Sequence, residues 1–234
     1  MMKSSSGRAV SNQNNLPGLS WRRSGRIVMR CLRDEGILDD AILVLIGSYA
    51  RDAVTWRSDV DMLLLTDQPL AKRPLLPYGV HLRCEGREQF QRRLLEGDDY
   101  AIAAVRYGRL LHGDLGFWNE LLGSLGHAKW PDPKAKLAQT SNRLTRADDL
   151  RRMTDIDAAI EEYLGAATQI ARSTLLQQRV FPLSRAELSE QLRGIDENLL
   201  ADRIDTLIQG ECTIEDLEII SRDLRSALCR EEDN

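Results

Sequence analysis

Apolar and polar positions follow two different patterns along the 234 residues, and the pattern changes near the "WPDPK" at 130–134. Before that point, short apolar runs at 41–47, 60–65 and 79–84 alternate with helix-like segments, which is typical of a layered unit of strands and helices. After it, apolar residues recur every three or four positions, as in a helical bundle. We therefore predict an α+β fold, with a mixed sheet and flanking helices over 19–130, an all-α bundle over 131–234 and a flexible polar arm over 1–18.

Composition places the chain among ordinary globular proteins, because it is 42% hydrophobic and 29% charged. Its longest apolar run, "AILVLIG", is far shorter than the roughly 20 residues that span a bilayer, and the polar arm lacks the apolar centre of a signal peptide. We expect a cytoplasmic protein with no membrane segment, whose four scattered cysteines are reduced thiols. The net charge of -4 argues against nucleic acid as the main partner.

Two carboxylates open the second apolar run, in the stretch "SDVDMLLL". Side chains two apart in a strand share a face, so Asp59 and Asp61 project together while Val60 and Met62 point into the layer. Like charges about 4 Å apart repel by roughly 4 kcal/mol at an effective dielectric near 20. The pair is therefore expected either to share a proton or to hold a hard cation such as Mg²⁺.

The end of the preceding strand favours the cation. Gly47 and Ser48 follow the apolar run and can begin a helix, which brings free backbone N–H groups and a small hydroxyl to one point. Glycine at this position lets phosphates approach the backbone. Ten residues, 49–58, then separate Ser48 from Asp59, so the phosphate site and the cation site are predicted to lie on adjacent strands.

This arrangement of Gly-Ser, ten residues and Asp-x-Asp resembles the nucleotidyltransferase superfamily of the DNA polymerase β type. The match is close over 42–66 and looser to about 125, and the helical second half is similar to that of small bacterial aminoglycoside nucleotidyltransferases. The resemblance implies transfer of a nucleoside monophosphate from a nucleoside triphosphate, ATP first, to an unidentified acceptor hydroxyl, with Mg²⁺ or Mn²⁺ and with release of pyrophosphate. It implies that Gly47 and Ser48 hold the β- and γ-phosphates and that Asp59 and Asp61 bind metal.

Four further positions bear on this resemblance. Arg51 and Arg57 are predicted to neutralise triphosphate charge, although a solvated surface role is the alternative for each. Asp52 stands where many members of the family have glycine. The family's third carboxylate comes from a later strand, here "YGVHLRCE", where His81 is the aligned residue. Either His81 has replaced the acid as a metal ligand, or Glu85 on the same strand face supplies the catalytic carboxylate, and we expect Glu85.

The general base and the acceptor are less defined by the sequence. Glu161 and Glu162 are candidate bases in the helical half, and the acidic pair in "GDDY" is interpreted as a helix cap. Three classes of function remain open: an active nucleotidyltransferase, an antitoxin-like regulatory partner that acts on another protein, and an inactive nucleotide-binding module.

Overall fold

The structure is a computed structural model that describes residues 21–54, 58–68 and 74–233. The arm predicted at 1–18 and Arg57 lie outside these residues. The strands are β1 Ile42–Ile46, β2 Val60–Leu65, β3 Val80–Glu85 and β4 Arg109–His112. The α-helices are α1 Trp21–Asp34, α2 Gly47–Ala50, α3 Arg87–Glu96, α4 Asp99–Tyr107, α5 Leu115–Ser124, α6 Thr140–Arg152, α7 Ile156–Gln177, α8 Arg185–Arg193, α9 Asn198–Gln209 and α10 Ile214–Asp233.

The four strands form one mixed sheet in the order β3-β2-β1-β4. β1 is antiparallel to both β2 and β4, whereas β2 and β3 are parallel. Helices flank this sheet, and the chain from α6 onward is helical in the described residues. The predicted α+β class is confirmed, and β1 and β2 are adjacent as the spacing required.

Both faces of the sheet are buried, because alternate residues of the central strands enter different cores. Val60, Met62 and Leu64 of β2 pack with Val28 and Leu32 of α1 on one face. The opposite face carries Leu63 and Leu65 together with residues of β1, α3, α4 and α5. Polar side chains on the central strands are therefore confined to the strand ends.

The helical half has a core of its own that surrounds α7, the longest helix in the described residues. Tyr163, Ala167 and Ile170 are fully buried on the face that the apolar spacing predicts. Within the described residues, no helix is both long enough and apolar enough to cross a membrane. None of the four cysteines forms a disulfide bond.

Phe181, between α7 and α8, joins the two halves of the molecule. It is 7% exposed and belongs to the core beneath α3, α4 and α5. Its ring centroid lies 6.1 Å from that of Tyr107 and 6.2 Å from that of Trp130. The indole nitrogen of Trp130 also donates a hydrogen bond of 2.9 Å to the carbonyl oxygen of Leu176 at the end of α7. These contacts hold α7 and α8 against the sheet.

We predict that Phe181→Ala lowers the free energy of unfolding by about 3 to 5 kcal/mol, because it removes a buried aromatic ring and leaves a cavity. Urea denaturation measures this loss. Met153→Ala is the matched control, since Met153 is 72% exposed and its loss should change stability by less than about 0.5 kcal/mol. Equal effects of the two substitutions would show that Phe181 does not join the halves.

Candidate functional site

Gly47 begins α2 at the point where β1 ends, in a conformation that few other residues adopt. Its φ is +72°, in the left-handed region. A Cβ atom at this position would lie 2.7 Å from Oδ2 of Asp61, because Ile46 pairs with Asp61 in the register of β1 and β2. Ser48 follows in the single turn of α2 and is half-buried. The absence of a side chain at Gly47 thus allows the carboxylate of Asp61 to lie against its backbone.

The Asp-x-Asp pair has the predicted alternation. Val60 and Met62 are buried, Asp59 is exposed, and the side chain of Asp61 is 42% exposed. Burial and the charge of Asp59 raise the pKa of Asp61, whereas the neighbouring His81 lowers it. The net effect is a pKa above the ordinary value of an aspartate. The charged form of Asp61 is therefore disfavoured in the folded protein without a cation.

His81 lies directly beside Asp61, because the parallel register of β2 and β3 pairs the two residues. Its Nδ1 is 3.5 Å from Oδ1 of Asp61, and its side chain is 68% exposed. The residue aligned with the family's third carboxylate is thus next to the acidic pair in space.

Glu85 does not reach the pair, which corrects the expectation that it supplies the third carboxylate. It pairs with Leu65, four residues further along β3 than His81, or about 13 Å at the usual strand rise. One of its oxygens is 2.5 Å from Nε of Arg83, and the other accepts a hydrogen bond of 2.6 Å from Arg93. Glu85 shares a strand face with His81, but these ion pairs hold it at the far end of β3.

Arg51 lies close to the site, but its charge is already paired. Its guanidinium donates a hydrogen bond of 2.7 Å to Glu187 of α8 and lies over the ring of Tyr107. Although burial raises the pKa of Glu187, hydrogen bonds from Arg51 and Ser184 outweigh burial and hold it below its ordinary value. Arg51 therefore links the sheet to the helical half, and its predicted contact with triphosphate would compete with Glu187.

Asp52 shows how the loop accommodates a residue other than glycine. Its φ is +59°, so it adopts the left-handed conformation that glycine takes readily and aspartate tolerates better than most residues. Its carboxylate pairs with Arg109 of β4. The course of the loop is thus one that a glycine at position 52 would also follow.

A cavity of about 400 Å³, called here the interdomain cavity, opens between the end of the sheet, α4, α7 and the segment 182–184. Gly47, Asp61 and His81 line one side of it. Tyr100, Arg172 and Ser184 line the other. The predicted phosphate and cation positions therefore share one cavity with residues from the helical half.

The candidate bases Glu161 and Glu162 lie elsewhere. They line a separate cavity of about 200 Å³, where Glu162 is 3.0 Å from Arg143 and the side chain of Glu161 is 72% exposed. In "GDDY", Asp98 caps α4 as interpreted, since it accepts a hydrogen bond of 2.9 Å from the backbone of Ala101. Tyr100 of the same stretch faces the interdomain cavity, a position that only the packing of α4 reveals.

The residues present fit a cation that is shared with a substrate phosphate. Among the described residues, no three His, Cys, Asp or Glu side chains converge as a metal site. Mg²⁺ is commonly bound by one or two carboxylates together with waters and substrate phosphates. Asp59 and Asp61 provide such carboxylates, and Asp61 lines the cavity together with Gly47.

No protein-family model matches the chain, and neither does any curated protein. Among solved structures, the fold is similar to that of a nucleotidyltransferase-like protein from Exiguobacterium sibiricum 255-15. The likeness has a TM-score of 0.49 and 17% sequence identity, and it covers 87% of this chain and 75% of the other. At that level, activity has to be argued from the residues themselves.

We predict that Gly47→Ala costs about 1 to 2 kcal/mol of stability, because the new Cβ is strained at positive φ and pushes against the carboxylate of Asp61. Gly123→Ala is the control, since a Cβ at that position of α5 meets no atom within 4 Å. The control should be neutral or slightly stabilising. Thermal or urea unfolding of both variants measures the difference, and equal stabilities would contradict the close approach of Gly47 to Asp61.

A second prediction concerns Asp61→Asn without divalent cations. Since folding raises the pKa of Asp61, the charged form destabilises the fold, so the variant should be more stable than the wild type above that pKa. The gain should disappear as the pH falls through the raised pKa, because a protonated Asp61 is also uncharged. We expect less than about 1 kcal/mol, since water screens this half-exposed group. Unfolding curves in EDTA across pH test this, and a pH-independent difference would contradict it.

Proposed function

We propose that the protein is a nucleotidyltransferase that transfers a nucleoside monophosphate from a nucleoside triphosphate, ATP first, to the hydroxyl of an acceptor. One observation carries the proposal: the backbone of Gly47 and the carboxylate of Asp61 lie against each other and line one cavity together with residues of the helical half. A phosphate next to the backbone of Gly47 would therefore be adjacent to the acidic pair.

In the proposed reaction, the acceptor oxygen forms a bond to the α-phosphorus, the bond from that phosphorus to the leaving pyrophosphate breaks, and the proton of the acceptor hydroxyl is released to water. A divalent cation held by Asp59 and Asp61 would neutralise phosphate charge. Gly47 would admit the phosphates to the backbone, and the hydroxyl of Ser48, in the next position of the chain, would donate a hydrogen bond to them. His81 would meet the same charges from β3, since it pairs with Asp61.

An inactive nucleotide-binding module is the second candidate, and the residue beside Asp61 favours it. A histidine occupies the position that a third carboxylate would hold, and Mg²⁺ prefers oxygen ligands. Such a module would bind Mg²⁺ and nucleotide without transfer. A regulatory role towards another protein is compatible with either behaviour.

We predict that Asp61→Asn lowers nucleotidyl transfer by about 100-fold or more, the scale for losing one key electrostatic group. His81→Asp should raise Mg²⁺-dependent transfer, because it restores a third oxygen ligand beside Asp61. Pyrophosphate release and intact masses of candidate acceptors, measured with ATP labelled at the α-phosphate, report transfer. Calorimetry with ATP and Mg²⁺ or EDTA reports binding, which should be tighter with Mg²⁺ in the wild type.

Asp67→Asn is the matched control, because Asp67 follows the opposite end of β2 and is 65% exposed. It should change neither transfer nor binding. Binding that depends on Mg²⁺, with no transfer until His81→Asp is introduced, would select the inactive module. Nucleotide affinity that is indifferent to Mg²⁺ and to Asp61→Asn would overturn the cation site.

A further inference from the structure

Three buried hydrogen-bond donors in the wall of the interdomain cavity lack an acceptor. They are Nε of Arg51, the hydroxyl of Tyr100 and Nε of Arg172, none of which has a partner among the described residues. Most buried polar groups in proteins are paired, and an unpaired one costs about 1 to 3 kcal/mol. A cavity that gathers three such groups is suited to a ligand that supplies acceptors.

A buried polar cluster in the helical half shows the usual arrangement. The carboxylate of Asp148 accepts hydrogen bonds from the hydroxyl groups of Tyr163 and Ser221 and from Arg225. There the buried groups satisfy one another, whereas the three donors in the wall of the interdomain cavity have no acceptor among the described residues and are covered by neighbouring atoms. Other buried atoms without a partner occur elsewhere in the described residues, as at Ser173 and Ser189, but these three donors belong to residues that line one cavity.

The chemistry of the donors restricts the ligand. The Nε–H of arginine only donates. Burial raises the pKa of Tyr100 to about 12. The positive charge of Arg83 lowers this pKa, and the negative charges of Glu85 and Asp61 raise it. The phenol is therefore protonated at neutral pH and can donate a hydrogen bond. The Arg83 guanidinium lies 4.0 Å from the ring centroid of Tyr100 and helps to fix the orientation of the ring.

The charges around Arg172 also restrict the ligand. Its guanidinium is 3.7 Å from one oxygen of Asp99, and the other oxygen of Asp99 is 2.7 Å from Nζ of Lys136. One carboxylate therefore faces two cations, which leaves a net positive charge on this side of the cavity. A neutral or anionic ligand is favoured over a cationic amine.

The same cavity reaches Gly47 and Asp61, where the phosphates of a nucleotide are proposed to lie. A nucleotide bound there can extend its remaining atoms towards Tyr100 and Arg172. The ring nitrogens of a base, the ribose oxygens and the phosphate oxygens all accept hydrogen bonds, so the molecule offers what these donors need.

We propose that Tyr100 and Arg172 are nucleotide-binding residues, which donate hydrogen bonds to acceptor atoms of the nucleotide in the interdomain cavity. This inference rests on the proposed function, because it assumes that the ligand beside Gly47 and Asp61 is a nucleotide. It assigns one binding residue to α4 of the sheet-containing half and one to α7 of the helical half.

The test is calorimetric titration of the full chain and of the variants Tyr100→Phe and Arg172→Gln. The probes are α,β-methylene-ATP and inorganic tripolyphosphate, each with Mg²⁺. We expect either variant to weaken binding of the ATP analogue by about tenfold, the scale of one lost hydrogen bond to a ligand. Tyr100→Phe removes a hydroxyl that has no partner in the described residues, so its stability should equal or exceed that of the wild type.

Two controls separate ligand binding from general effects. Ser189→Ala removes a buried hydroxyl that also lacks a partner but lies outside the cavity. Arg143→Gln removes an arginine that is paired with Glu162 at the separate cavity. Both should bind the two probes as the wild type does.

The two probes distinguish the atoms that are held. Weaker binding of the ATP analogue alone would assign the donors to the base and ribose, and weaker binding of both probes would assign them to the phosphates; each supports the inference. Wild-type affinity of Tyr100→Phe and Arg172→Gln for both probes would overturn it while leaving the proposed function intact. Failure of the wild-type protein to bind either probe would overturn both.

Discussion

The crowding of Asp59 and Asp61 at the start of β2 is the constraint on which the site depends. Both faces of the sheet are buried, so the two carboxylates are tolerated only at a strand end, where Asp59 is exposed and Asp61 is half-exposed. Burial and the charge of Asp59 raise the pKa of Asp61, and its carboxylate lies against the backbone of Gly47 at the wall of the cavity. A protein that keeps an unfavourable charge next to open space is suited to bind a cation with an anionic ligand.

The helical half completes the cavity because two contacts fix it over this strand end. Phe181 inserts into the core of the sheet-containing half, and Arg51 pairs with Glu187 of α8. Glu187 also forms a capping box with Ser184 at the start of α8, so the ion pair, the helix cap and the cavity wall are parts of one local structure. A ligand that draws Arg51 away from Glu187 would therefore weaken the contact between the two halves.

The sequence predicted what depends on local periodicity and spacing. Alternation and apolar runs identified β1, β2 and β3, and the spacing from Gly47 to Asp61 predicted that these two residues lie at the ends of adjacent strands. β4 was not predicted, because all four of its residues are only partly buried and give no apolar run. The partners of Glu85 and Arg51 could not be predicted either. Strand alternation gives the face on which Glu85 lies but not its distance from Asp59 and Asp61. Arg51 pairs with Glu187, which is 136 residues away in the sequence. Tyr100 follows the acidic pair of "GDDY", and only the packing of α4 brings it to the wall of the cavity.

The most direct test of the central claim is electron paramagnetic resonance of Mn²⁺ titrated into the protein with α,β-methylene-ATP present. Free and bound Mn²⁺ give different signals, so the experiment reports binding of the cation without requiring an acceptor or turnover. We expect the protein to increase the bound fraction of Mn²⁺ beyond that bound by the nucleotide alone. The Asp59→Asn, Asp61→Asn double variant should abolish this increase while remaining folded. Equal Mn²⁺ binding by the wild type and the double variant would contradict the assignment of the acidic pair as a cation site.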